Sequence, residues 1–172
     1  PATLRRQRQM CIRDSGSIAR AVVLAMDGVV DANGELDRER TQIYVPNDFL
    51  IRELPKHSEL LFGASINPYR PDAIERLDHV AANGAVLLKW IPNIMHIDPA
   101  DARITSFYER MAAHGIPLLS HTGQERSFGD ADDRLGDPRR LALPLSIGVT
   151  VIAAHIATTG ENDGRSNFEL LL

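Results

Sequence analysis

Gly115-Ile116-Pro117-Leu118-Leu119-Ser120-His121 and Gly148-Val149-Thr150-Val151-Ile152-Ala153-Ala154-His155 are the two stretches that decide how this chain folds. Each is an apolar run that ends on a histidine. A parallel strand covered by helices on both faces reads as a continuous hydrophobic run, and the residue at its C-terminal tip points into the crevice where ligands bind. The two histidines stand 34 residues apart, from 121 to 155. That is room for one strand-loop-helix-loop unit, so they belong to successive units of a wound α/β fold. Neighbouring strands lie roughly 5 Å apart, close enough for both imidazoles to address one ion or one substrate atom.

Working outward, Ala21–Met26, Leu60–Ile66 and Ala85–Ile91 read as further buried strands. Strand tips then fall at Asp27, Asn67, Lys89, His121 and His155, at intervals of 40, 22, 32 and 34 residues. Between them, Asn47 reads as the cap of a short helix that Pro55 stops. Pro71 opens a helix with Ile74, Leu77, Val80 and Ala81 on one face, closed by Gly84. Asp98 as N-cap and Pro99 at the first helical position predict another helix, with Ile104, Phe107, Tyr108 and Met111 inward and Gly115 just past its end. A loop from Thr122 to Asp137 leads to a helix around Pro138 to Ser146, and Phe168 to Leu172 reads as an amphipathic helix. Strands alternating with helices at this spacing predict βαβ units and a parallel sheet. The expected fold class is α/β, a partial TIM (β/α)8 barrel of five strands. An open doubly wound sheet is the alternative, but no Gly-rich phosphate loop follows any of the strands.

With 172 residues, 44% hydrophobic and both charge signs mixed, the chain has the composition of an ordinary globular domain. A formal charge of −4, and no Lys/Arg stripe with interleaved aromatics after residue 15, argue against a nucleic-acid partner. No apolar run approaches the roughly 20 residues of a membrane span, and no signal-peptide pattern opens the chain. The single Cys11 excludes an intrachain disulfide and fits a cytoplasmic setting.

Residues 1–15 stand apart. They lack helical or strand periodicity, and position 1 is Pro. Arg5 to Ser15 resembles one reading frame of a transposase mosaic-end adapter used in preparing sequencing libraries, with Met10 to Ser15 as ATG TGT ATA AGA GAC followed by AGN. A disordered basic N-terminal tail is the alternative. The expected organisation is therefore an adapter-like segment, 1–15, and an incomplete barrel domain, 16–172.

From about Ala19 onward the chain resembles the amidohydrolase superfamily of metal-dependent hydrolases, in the branch related to aminocarboxymuconate-semialdehyde decarboxylase. The resemblance rests on Gly84 to Pro92, Gly115 to Gly123 and Gly148 to His155, in that order and spacing. It implies a TIM barrel whose one- or two-metal centre draws on an HxH pair on the first strand, histidines on the fifth and sixth, and an Asp on the eighth. It also implies that His121 lies on the fifth strand and His155 on the sixth, with Lys89 at the end of the fourth. No two of the six histidines (57, 79, 96, 114, 121, 155) stand two apart, so the HxH pair is not in this sequence, nor is the eighth-strand Asp. The resemblance thus implies strands two to six, truncated at both ends and expected to be inactive alone, with unpaired sheet edges that favour aggregation.

The implied chemistry is a divalent metal, zinc or manganese, that lowers the pKa of a bound water toward about 7 for attack on a C–N or C–O carbonyl bond. His121 takes the ligand role and His155 that of ligand or base. Lys89 is placed at the catalytic site, either carboxylated and bridging two metals or pairing with a substrate carboxylate or with Asp27. Asp27 and Asn67 either line the pocket or serve turn chemistry. Trp90 reads as a pocket wall or as core, and Glu125, Arg126, Thr158 and Thr159 as neighbours of substrate. His79 and His114, near helix C-termini, suit a dipole role. A small-molecule substrate is the expected partner, with a homo-oligomer admitted for the intact protein. The rival readings are a decarboxylase of the same superfamily and a non-catalytic barrel whose histidines are structural.

Overall fold

The computed structural model describes residues 19–172, so the adapter-like segment and the start of the expected barrel domain lie outside the described residues. Five strands form one sheet: β1 (Ala21–Leu24), β2 (Leu60–Ala64), β3 (Leu87–Trp90), β4 (Leu118–His121) and β5 (Val151–Ala154). Their spatial order is β1-β2-β3-β4-β5 and every neighbouring pair is parallel. Strands that follow one another in space as in sequence, each connected through helix, are the arrangement of a section of a (β/α)8 barrel.

One short loop recurs and sets the spacing. Helices α1 (Asn47–Glu53) and α2 (Ala73–Ala82) flank β2, α3 (Pro92–Met95) and α4 (Thr105–His114) follow β3, and α5 (Ala142–Ile147) precedes β5. After α2, α4 and α5 come Gly84, Gly115 and Gly148, with φ of +79°, +65° and +96°. In each case the next amide bonds back five residues, Ala85 to Val80, Ile116 to Met111 and Val149 to Pro144, and a strand begins three residues after the glycine. Glycine enters the left-handed region without a Cβ penalty, so it ends the helix and aims the chain at the sheet.

Register assigns the faces. Phe62, Ala64, Leu88, Trp90 and Leu118 lie on the helix-covered face and are buried with Leu77 and Val80 of α2 and Phe107, Tyr108 and Met111 of α4. Trp90 is the centre of this layer, 6.0 Å from the Phe107 ring and 5.8 Å from the Tyr108 ring, with its indole N–H donated to Ile66 O at 2.7 Å. It is a core residue, not a pocket wall. The opposite face carries Val22, Leu61, Leu87, Lys89, Leu119, His121 and Ile152, by the pairings Val22–Leu61, Lys89–Leu119 and Leu119–Ile152. Its flanks are open, with Val22 and Ile152 both exposed. No helix among the described residues is long and apolar enough to cross a membrane.

Several expected helix starts move. Asn47 does not cap α1; Pro46 holds that position, and the Asn47 side chain bonds the backbone of Ser65 in both directions instead. Pro55 does not stop the helix abruptly, because a 3-10 turn carries it through Leu54–Lys56. Helix α2 begins at Ala73, two residues after Pro71. Asp98 and Pro99 precede a turn, and Asp101 caps a 3-10 turn at Arg103 N that leads into α4. The one-turn helix α3 was not expected from the sequence; Pro92 at its first position starts it.

Candidate functional site

Lys89 and His121 share a face because both belong to regular strands. Lys89 pairs in register with Leu119, and His121 lies two residues further along β4, so the period of two returns it to the same side. His155 does not follow that rule. Its strand neighbour Ala154 pairs with His121, so a regular continuation of β5 would send His155 to the other face. The backbone instead leaves the strand into a left-handed turn, with φ of 66°, 52° and 50° at His155, Ile156 and Ala157. Each such residue costs of order 1–2 kcal/mol relative to ordinary backbone. The rings of His121 and His155 then meet edge to face, centroids 5.0 Å apart with an interplanar angle of 60°. Both histidines reach one place, but by different local geometry from the twin strand tips expected. His121 is buried, whereas His155 is exposed.

The loops leaving β4 and β5 are stitched together. Thr122 Oγ1 donates to Ala154 O at 2.7 Å and accepts from Ala157 N at 3.0 Å. Gln124 N donates to both Thr159 O and Thr159 Oγ1, and that hydroxyl donates to Gln124 O. Thr159 is therefore occupied in structure, and Thr158 and Arg126 are exposed, Arg126 bonding Gln124 Oε1.

Glu125 is the acid of the cluster. Its amide bonds Asp133 Oδ1, which Asn93 Nδ2 also holds, and its Oε1 accepts from Ser127 N. That leaves Oε2 at 3.7 Å from His121 Nδ1, with both side chains 8% exposed. At that distance the carboxylate faces Nδ1 without bonding it. His121 Nε2 is buried and has no hydrogen-bond partner among the described residues. Burial lowers the His121 pKa, assisted by Lys89 and His155 and opposed by Glu125, which keeps the ring neutral and able to donate its lone pair.

Lys89 is 6% exposed, and among the described residues its ammonium makes no hydrogen bond or ion pair. Burial pushes its pKa down to about 8, against an opposing pull from Glu125. The expected pairing with Asp27 is not made. The Asp27 carboxylate is taken by Arg70 in a two-point ion pair and by the amides of Gly28 and Asn67. Asn67 is likewise structural, its amide donating to Gly28 O and Met95 O. Arg70 was missed in the sequence because an arginine in a turn gives no sign of which buried acid it will meet. Of the remaining histidines, His79 bonds Asp48 at 3.2 Å, His114 bonds Asp78 at 2.6 Å, and His96 lies 3.5 Å from Asp130.

The orphaned Nε2 of His121 and the neighbouring His155 ring suit a divalent cation as two of its donors. They do not make up its whole ligand set: a catalytic zinc takes three protein ligands, and among the described residues no group of three or more His, Cys, Asp or Glu side chains could hold a metal. Glu125 faces Nδ1 of His121, not the unpartnered Nε2.

No family model matches the chain, and no curated protein sequence matches it. Among solved structures it is similar to a Pseudomonas putida protein given the provisional name 2-pyrone-4,6-dicarboxylic acid hydrolase. The TM-score is 0.54 at 13% identity, over 86% of this chain and 63% of that one. A dihydropteroate synthetase in complex with a product gives a TM-score of 0.44 at 13% identity, over 97% of this chain and 59% of that one, a similarity too low to carry an argument. The chain thus spans less than two thirds of the length of either. At this identity the first similarity establishes architecture alone, a parallel α/β sheet with alternating helices that forms part of a TIM barrel.

Proposed function

We propose that this chain carries part of the active site of a metal-dependent hydrolase of the amidohydrolase type, acting on a C–N or C–O carbonyl bond of a small molecule. His121 and His155 serve as ligands to a divalent cation, zinc or manganese, whose remaining donors are not among the described residues. When bound, such an ion activates water for attack on a carbonyl. His121 offers its buried Nε2; His155, at the solvent-facing edge of the pair, serves as ligand or base. The single observation that carries this reading is a buried His121 Nε2, unpartnered among the described residues, beside a second imidazole whose centroid is 5.0 Å away.

Lys89 gives a second reading its footing. A largely buried lysine whose ammonium has no partner among the described residues suits an anionic substrate, and a decarboxylase on the same scaffold requires an acid. Product analysis separates the two: a lyase releases CO2 without incorporating water.

Titration of the chain with Co2+, followed by its visible ligand-field bands, tests the cation site. Binding that falls about tenfold or more in His121→Ala and in His155→Ala is expected. Equal binding by both variants and the parent chain would overturn the proposal.

A further inference from the structure

We infer that Thr122 is the positioning residue that holds the two imidazoles in register, by clamping the left-handed turn from which His155 projects. This extends the ligand-pair reading above, although the ring geometry itself can be examined without any cation.

Three successive non-glycine residues with positive φ persist only where their surroundings over-determine them. Here the Thr158 amide closes the turn onto His155 O and Ala157 is fully buried, but one side-chain hydroxyl ties the entry of the turn to its exit. Thr122 Oγ1 donates to the carbonyl of Ala154, the last residue of β5, and accepts the amide of Ala157, the last residue of the turn. The hydroxyl therefore spans the turn from entry to exit, using both its donor and its acceptor capacity. Ala157 N has no other partner among the described residues. Thr122 is 1% exposed, so water does not compete for either bond. It also follows His121 directly, so the residue locking the His155 turn is peptide-bonded to the residue that carries the other imidazole. With Thr122 in place, the strained turn places the His155 ring against His121 and not on the face that a regular strand would choose. Thr122 contacts neither the proposed cation nor substrate; it acts through His155.

The test compares the full chain with Thr122→Val, which keeps the shape and loses both bonds, and Thr122→Ser, which keeps both. Histidine-labelled protein should show a nuclear Overhauser effect between the His121 and His155 rings in the parent chain and in T122S, and none in T122V. The Ala157 amide should exchange slowly in the first two and fast in the third. Co2+ affinity should fall about tenfold in T122V and change little in T122S. A folded T122V that keeps the ring contact would overturn the inference. So would a fast-exchanging Ala157 amide in the parent chain, a result that stays available if T122V does not fold. Ring contact that follows the pattern above, with no Co2+ binding by any form, would uphold the clamp and sink the cation reading alone.

Discussion

Asp27 and Arg70 form a two-point ion pair sealed at the C-terminal end of the sheet: Arg70 Nη2 donates to Oδ1 at 2.7 Å and Nε to Oδ2 at 2.8 Å, and the side chains are 7% and 6% exposed. With the amides of Gly28 and Asn67 each donating at 2.8 Å, every oxygen of the carboxylate is engaged. Such a pair locks geometry more than it adds stability, because both ions have lost their water. Removing one member is a different matter, since it strands the other. Arg70→Leu should cost about 3–5 kcal/mol of unfolding free energy in urea titration. A loss below about 1 kcal/mol would show that water reaches the abandoned carboxylate.

Lys89 sets the alkaline behaviour of the fold. Its folded pKa of about 8 lies below the ordinary lysine value, so between the two the unfolded chain binds more protons than the folded one, and stability rises with pH. The destabilisation is fully present below about pH 8. Lys89→Met should therefore raise stability at neutral pH by about 1–3 kcal/mol and abolish the rise above pH 8. Thermal melts at pH 7 and at about pH 10 check both parts; a less stable variant at pH 7 would mean that the ammonium has an anionic partner.

Trp90 is the only tryptophan and is fully buried, which makes it a probe of the helix-covered layer. Its fluorescence should be blue-shifted in the folded chain and move to the red in one cooperative step with denaturant. Trp90→Phe removes the donor that satisfies Ile66 O and leaves a gap beside Phe107. The expected cost is about 2–3 kcal/mol, measured by circular dichroism because the intrinsic fluorescence is lost.

Gly136 supports the loop that carries Glu125. A Cβ there would collide with the carbonyl of Gly123 and stand 2.8 Å from Asn93 Nδ2. The first of these is backbone, which cannot swing away as a side chain does. Gly136→Ala should cost about 1–3 kcal/mol and loosen the Asp133–Glu125 anchor, read as faster hydrogen exchange at the Gly123 and Glu125 amides, both of which are hydrogen-bonded in the native loop.

Much of the architecture was legible before any coordinates. The apolar runs ending at His121 and Ala154 are strands because helices cover one face and the barrel side takes the other, so no polar alternation is needed. The glycines at 84, 115 and 148 mark helix ends because only they enter the left-handed region freely. The helix starts were less readable: Asp72, Asp98 and Asp101 all carry the chemistry of a cap, and which of them is used depends on contacts made elsewhere in the chain. The places of Lys89 and His121 near the ends of β3 and β4 followed from the sequence. The roles of Arg70, Thr122 and Glu125 did not, because their partners are distant in sequence or sit in an irregular loop.

The amino-acid order alone pointed to the five parallel strands and their succession, since these follow from local apolar runs and from glycine's tolerance of positive φ, whereas the face that Lys89 and His121 share needed the register of β3 against β4. The tertiary structure decided where His155 points and which acids the buried cations meet. Past the end of a strand the period of two lapses, and direction is set by hydrogen bonds across long sequence separations, such as Thr122 to Ala157.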